Sequence, residues 1–227
     1  MVRGTSQRAM NVWLLQTEAS GKVSAPCRNL CMAGGIDRDT AGRYRSEADI
    51  FGKADTMSNT EILAGERADF RQSLAKQRYF LRFTVRGLTD EQAAQRTTVS
   101  ELCLGGLIKH VMATERQWIT FILEGPSAMS WDAGSMADWT AGFRMLEGET
   151  LASLLEAYEQ VAQRTDELVA TLPDLDAAQP LPEAPWFEAG ARWSARRVLL
   201  HVIAEIAQHA GHADIIRESL DGAKSMG

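Results

Sequence analysis

Four histidines occur in the 227 residues, and three of them, His201, His209 and His212, lie within twelve positions with Glu205 between them. Imidazole nitrogens and carboxylate oxygens are the usual ligands of divalent first-row metals. On a helix each residue advances about 100° around the axis. With His201 at zero, His212 falls at about 20°, Glu205 at about 40° and His209 at about 80°. Val198 and Ile216 fall at about 60°, one above and one below this stripe. A polar stripe that turns apolar at each end faces the interior of a bundle. His110 lies far upstream, with Cys103, Leu107, Thr114 and Phe121 within about 60° of it. It too projects inward.

Interior imidazoles and a carboxylate are costly unless something satisfies them. Residues at i and i+4 stack on one helix face, so Glu205 and His209 can grip one ion, with His110 supplying a third ligand from a facing helix. Three protein ligands leave a position open for water or substrate. Spacing does not select the set: His201/Glu205, Glu205/His209 and His209/His212 are all allowed pairs. The competing reading is packing, because a lone histidine on an apolar face is most often a satisfied core residue. Clustering of three around an acid favours the metal. The stretch lacks the His-Glu-x-x-His order of zinc proteases. Cys27 and Cys31 have the spacing of a metal pair but no second pair or nearby histidine. Cys103 reads as core, not as a nucleophile. Arg217, Glu218 and Asp221 read as local ion pairs at a helix end, and Trp118 and Trp193 as core or cleft lining.

The elements that must position these groups are helices. The first is expected from about Thr60 to Arg86, opened by the capping-box spacing Ser58…Glu61 and broken at Gly87-Leu88-Thr89. Thr89…Gln92 opens a short turn of helix. Thr98…Glu101 has the same spacing and predicts a second long helix from about Val99 to Leu123, ended by Gly125-Pro126. A loop with Trp131 and Trp139 follows. The third helix is expected from about Glu147 to Leu172, ended by Pro173. Pro173 to Arg192 carries four prolines and reads as a long crossover loop. Ser194 caps a last helix, Ala195 to about Leu220, closed by Asp221-Gly222. Period-two alternation is scarce, so the fold class is all-α, a four-helix bundle.

Residues 1–56 read differently. They carry net charge +2, leaving −8 for the rest, and show no sustained period. They are expected to be a disordered N-terminal extension or to follow from a start placed too far upstream. Arg3 and Arg8, with no acid before Glu18, faintly suggest an organelle transit peptide. The bundle is then 57–222, with 223–227 a tail.

Hydrophobic residues make up 45% and charged residues 24%, ordinary usage for a globular chain. A net charge of −6 argues against nucleic-acid binding by general phosphate neutralisation. No apolar run reaches the roughly 18–20 residues of a membrane span. Three cysteines cannot pair evenly, which favours a reducing, cytoplasmic compartment.

The segment from His201 through Glu205, His209, His212 and Asp214 to Gly222 closely resembles the last helix of the DinB/YfiT-like superfamily, most of all its mini-circle-protein subgroup. Gly106-Leu-Ile-Lys-His110-Val-Met-Ala-Thr-Glu115-Arg-Gln-Trp118 resembles that subgroup's second helix. Asp69-Phe70 to Gly87-Leu88-Thr89-Asp90-Glu91-Gln92 resembles its first helix and turn. The resemblance covers about 57–222 and implies a four-helix bundle with an open divalent-metal site. Many members pair a histidine of the second helix with a His-x-x-x-His of the last. In mycothiol-dependent maleylpyruvate isomerase relatives that pair is Glu-x-x-x-His. Carried over, the ligands become His110, Glu205 and His209, holding Zn, Ni or Fe, with Glu205 shifting preference toward harder metals. His212 becomes a supporting partner or replacement ligand, and His201 orients Glu205. The resemblance further implies a metal-dependent thiol S-transferase acting in detoxification or stress. Its partners would be a mycothiol- or bacillithiol-type thiol and an electrophile, and such bundles often pair into homodimers. The rival expectation is a non-catalytic metal-binding stress-response or interaction bundle.

Overall fold

The computed structural model describes residues 65–129 and 141–225. The expected extension 1–56, the Ser58…Glu61 cap, the Cys27/Cys31 pair and the loop tryptophans Trp131 and Trp139 lie outside these residues. The elements are α1 (Glu66–Phe83), α2 (Asp90–Ala94), α3 (Leu104–Glu124), a 3₁₀ turn (Gly125–Ala128), α4 (Leu151–Thr171), β1 (Ala178–Pro180), β2 (Arg192–Ser194) and α5 (Ala195–Asp221). The fold is all-α. Contacts run α1 to α5, α5 to α3, α3 to α4 and α4 back to α1, closing a ring of four long helices. Their apolar stripes meet inside it: Leu74 and Leu81 from α1, Leu107, Ile108 and Phe121 from α3, Tyr158 and Val169 from α4, and Val198, Leu199 and Ile206 from α5 are essentially inaccessible. No described helix is long and apolar enough to cross a membrane. Cys103 is buried and free.

Several helix ends follow the expected chemistry. Ser194 caps α5 by accepting from Arg197 N, and Gly222 closes it at φ 79°, a left-handed position that favours glycine. Thr89 and Gln92 form the complete capping box of α2. Three ends differ. Thr98…Glu101 does not open α3. The Thr98 and Ser100 hydroxyls accept from Ser100 N and Leu102 N, drawing this stretch into turns, while Glu101 pairs with Arg96 and Arg144. The helix starts at Leu104, with Cys103 Sγ accepting from Gly106 N at 3.4 Å. α4 starts at Leu151 rather than Glu147, because Gly148 sits at φ 83° and a capping box of Thr150 and Ser153 follows. α1 ends at Phe83, where Thr84 Oγ1 turns back to Leu81 O at 2.7 Å.

The crossover contains a two-stranded antiparallel ladder, with Ala178 opposite Ser194, Gln179 opposite Trp193 and Pro180 opposite Arg192. Three-residue strands are too short to show alternation in sequence. Ala184–Glu188 belongs to a second compact unit and forms a turn closed by Phe187 N donating to Ala184 O.

One polar network crosses the bundle interior. Arg78 of α1 donates to Glu115 of α3 at 2.5 and 3.3 Å and to Asp166 of α4 at 2.8 Å. Thr165 Oγ1 of α4 donates to the same Glu115 carboxylate at 2.6 Å. Arg78 is 5% and Glu115 1% exposed, so each charge depends on the other. Burial opposes the Arg78 charge, but Glu115 and Asp166 outweigh it and hold the guanidinium's pKa above its usual value. Arg217 also does more than form a local pair. It is buried and joins Asp221 at 2.9 Å, while donating to Thr84 O and Arg86 O at 2.8 and 2.9 Å, tying α5 to the frayed end of α1.

Candidate metal centre

His110 lies in the second turn of α3, and Glu205 and His209 lie one turn apart on α5. The packing of α3 on α5 brings them together. One donor atom from each of the three lies within 4.8 Å of the others, the one such group of three among the described residues. Glu205 Oε2 and His209 Nε2 stand 3.7 Å apart, each side chain 12% exposed, and the His110 and His209 rings meet edge to face at 4.7 Å. A tetrahedral ion with bonds of about 2.0–2.2 Å sets its ligands about 3.3 Å apart. The Glu205–His209 gap is near that value and too long for a good hydrogen bond. Two imidazoles and a carboxylate also suit a divalent first-row ion.

The other two histidines sit beside this group. His212 Nδ1 is 3.4 Å from His209 Nδ1, close enough for the rings to share a proton and so set the His209 tautomer. His201 Nε2 is 3.8 Å from Glu205 Oε1, and its ring stands edge-on to Trp118 at 4.7 Å and to Trp193 at 5.1 Å. Those tryptophans stack on each other at 4.9 Å and line the α5 face one turn before Glu205. Phe143, which no sequence pattern singled out, stacks on His110 with centroids 4.0 Å apart and planes 23° apart.

Burial and the nearby His209 hold the His110 imidazole down to about 3, against the opposing pull of Glu205. His201 and His212 are lowered as well, chiefly by burial. For Glu205 burial pushes upward, but His209, His201 and His110 outweigh it and keep the carboxyl below its ordinary value. At neutral pH the lowered His110 is therefore a neutral imidazole and the lowered Glu205 an anion, each able to meet a cation without first losing a proton. The same shifts set an acid limit. Below pH 6.5 the unfolded chain takes up protons on His110, His201 and His212 that the folded chain refuses, so their contribution to stability is full above 6.5 and is lost as pH falls, for His110 down toward pH 3. Loss of the Glu205 contribution begins below its ordinary value of 4.5. Chelator-treated protein should show a melting temperature that drops steadily from pH 6.5 to 4.5, with a shallower drop in His110→Gln. Equal slopes would contradict the burial of a neutral His110.

The fold is a helical bundle in which two helices bring a histidine–glutamate–histidine donor group together. The chain belongs to the mycothiol-S-transferase family, whose family model matches residues 69–222. Among solved structures it is similar to "Sibling Lethal Factor Precursor - DfsB", with a TM-score of 0.54 and 12% identity over 71% of this chain and all of that one. At that identity the likeness shows the fold alone. No curated protein matches it in sequence.

Proposed function

We propose that this protein is a divalent-metal-dependent thiol S-transferase, with His110, Glu205 and His209 holding the cation. The reading rests on family membership and on one observation, the convergence of one α3 imidazole with a carboxylate–imidazole couple of α5. A bound divalent cation supplies the Lewis acidity that lowers a thiol's pKa, making the nucleophilic thiolate available near neutral pH. The chain's residues do the rest. Three ligands leave a coordination position for the sulfur of a small thiol. Two neutral imidazoles and one carboxylate leave a divalent ion with net charge +1, which favours an anionic sulfur. Among the described residues no thiol is available for this role, since Cys103 Sγ is buried and occupied in capping α3. The sulfur forms its new bond to the electrophilic carbon of a second small molecule as that carbon's bond to its leaving group breaks; the leaving group departs with the electron pair, and the thiol proton passes to solvent.

The experiment is thiol consumption. Zn²⁺-, Ni²⁺- or Fe²⁺-loaded protein with mycothiol or bacillithiol and a chromogenic electrophile should consume thiol above the uncatalysed rate, and chelator-treated protein should not. Stoichiometric metal with no consumption would favour the non-catalytic binding bundle instead. Absence of metal, with no change in melting temperature on adding Zn²⁺ or Ni²⁺, would overturn the centre.

A further inference from the structure

Two adjacent glycines open α3, an unfavourable choice inside a helix unless something must come close. A Cβ at Gly106 would lie 1.9 Å from the carbonyl oxygen of Phe143 and 2.3 Å from its carbonyl carbon, and one at Gly105 would lie 2.1 Å from Met145 Sδ. The Gly106 obstacle is backbone, which cannot swing aside. Further contacts hold the same segment: Cys103 Sγ is 3.8 Å from Phe143 O, and Arg144 pairs with Glu101 at 2.8 Å. Phe143–Met145 therefore lies in a notch that only the glycine pair makes deep enough. Gly106 and His110 share one face of α3, a turn apart. A chain seated over Gly106 is placed to lay its aromatic ring on the imidazole, and the Phe143 ring is found there.

Rotation of an imidazole about its second side-chain torsion is soft. Thr114 Oγ1 stands 3.5 Å from His110 Nε2. We propose that Phe143 is a positioning residue for His110, and that the Gly105–Gly106 notch seats Phe143 so that its flat ring holds the imidazole toward Glu205 and His209. The role rests on the metal-centre reading above. It assigns a role to three residues, Phe143, Gly105 and Gly106, none of which is a member of the donor group.

The test compares Phe143→Ala, Phe143→Tyr, Gly106→Ala and the Phe143→Ala/Gly106→Ala double variant with the wild type. The readouts are Co²⁺ affinity by chelator competition, the visible spectrum of the bound Co²⁺, and the His110 ring proton shifts of metal-free protein. Phe143→Ala should bind Co²⁺ about tenfold more weakly, the scale on which supporting partners of metal ligands act, and with an altered spectrum. Its His110 ring protons should move downfield as the shielding aromatic face is lost. Gly106→Ala should reproduce all three changes. The double variant should be no worse than either single one, because both act through one contact. Phe143→Tyr, which keeps the ring, should retain wild-type affinity and spectrum. Where Gly106→Ala fails to fold, the two half-buried Phe143 variants carry the test. Cobalt bound equally well, and with the same spectrum, by Phe143→Ala and the wild type overturns the positioning role alone. Loss not rescued by Phe143→Tyr does the same. No cobalt bound by the wild type overturns the metal centre and this role with it.

Discussion

Replacing His110 or His209 by alanine is expected to abolish stoichiometric metal binding, weakening affinity by more than about 100-fold. Changes in supporting partners around metal ligands cost 10–100-fold, and removing one of three direct ligands must exceed that. His110 is the one donor α3 contributes to the triad, so its loss leaves a two-residue α5 pair that any exposed i, i+4 pair could match. Elemental analysis of the wild type beside the two variants measures this directly. A second readout follows from linkage. Metal at about 100 times its dissociation constant stabilises the fold by about 2.7 kcal/mol, which for a domain of this size raises the melting temperature by roughly 5–10 °C. That increment should appear in the wild type and vanish in both variants. Equal metal in all three proteins would remove the proposed site and with it the thiol chemistry.

The largest stability loss is expected not at that centre but in the buried Arg78–Glu115 network. Glu115→Leu keeps the side chain's bulk but leaves the Arg78 guanidinium buried with only Asp166 to neutralise it. Breaking a buried pair from one side costs about 3–5 kcal/mol. Thr165 loses its bond to Glu115 at the same time and keeps only the one to Val161 O at 3.0 Å. Pairing the change with Arg78→Met should recover much of the loss, because removing both charges also removes the desolvation cost. Urea denaturation of the two single variants and the double variant measures the coupling. Metal content should not change, since Glu115 belongs to none of the ligand contacts. A Glu115→Leu cost below about 1 kcal/mol would mean that the pair is not isolated from water.

The network was legible in principle. Glu115 shares its face of α3 with Ile108, Val111, Trp118 and Ile122, all buried, and Arg78 shares its face of α1 with Leu74 and Leu81. A charged residue on an apolar stripe announces a buried charge, but not which opposite charge answers it. The helix starts show a similar limit. Ser194 and Thr89 cap as their spacing suggests, whereas Thr98 spends its hydroxyl on a neighbouring turn and Cys103, an unusual cap, takes its place. Local hydroxyl chemistry offers both outcomes, and packing selects between them. Phe143 could not be read at all, because the contact of a loop ring with His110 depends on a crossing that no spacing records.

The sequence alone determined the helical class, the inward faces of His110, Glu205 and His209, and the end signals of α5, because these depend on the 3.6-residue period and on bonds within a few residues. Only the tertiary structure decided which imidazole meets which carboxylate, how Arg78 finds Glu115, and why two glycines open α3. Each of these depends on the approach of segments distant in the chain, where steric fit and the cost of an unpaired buried charge leave one arrangement.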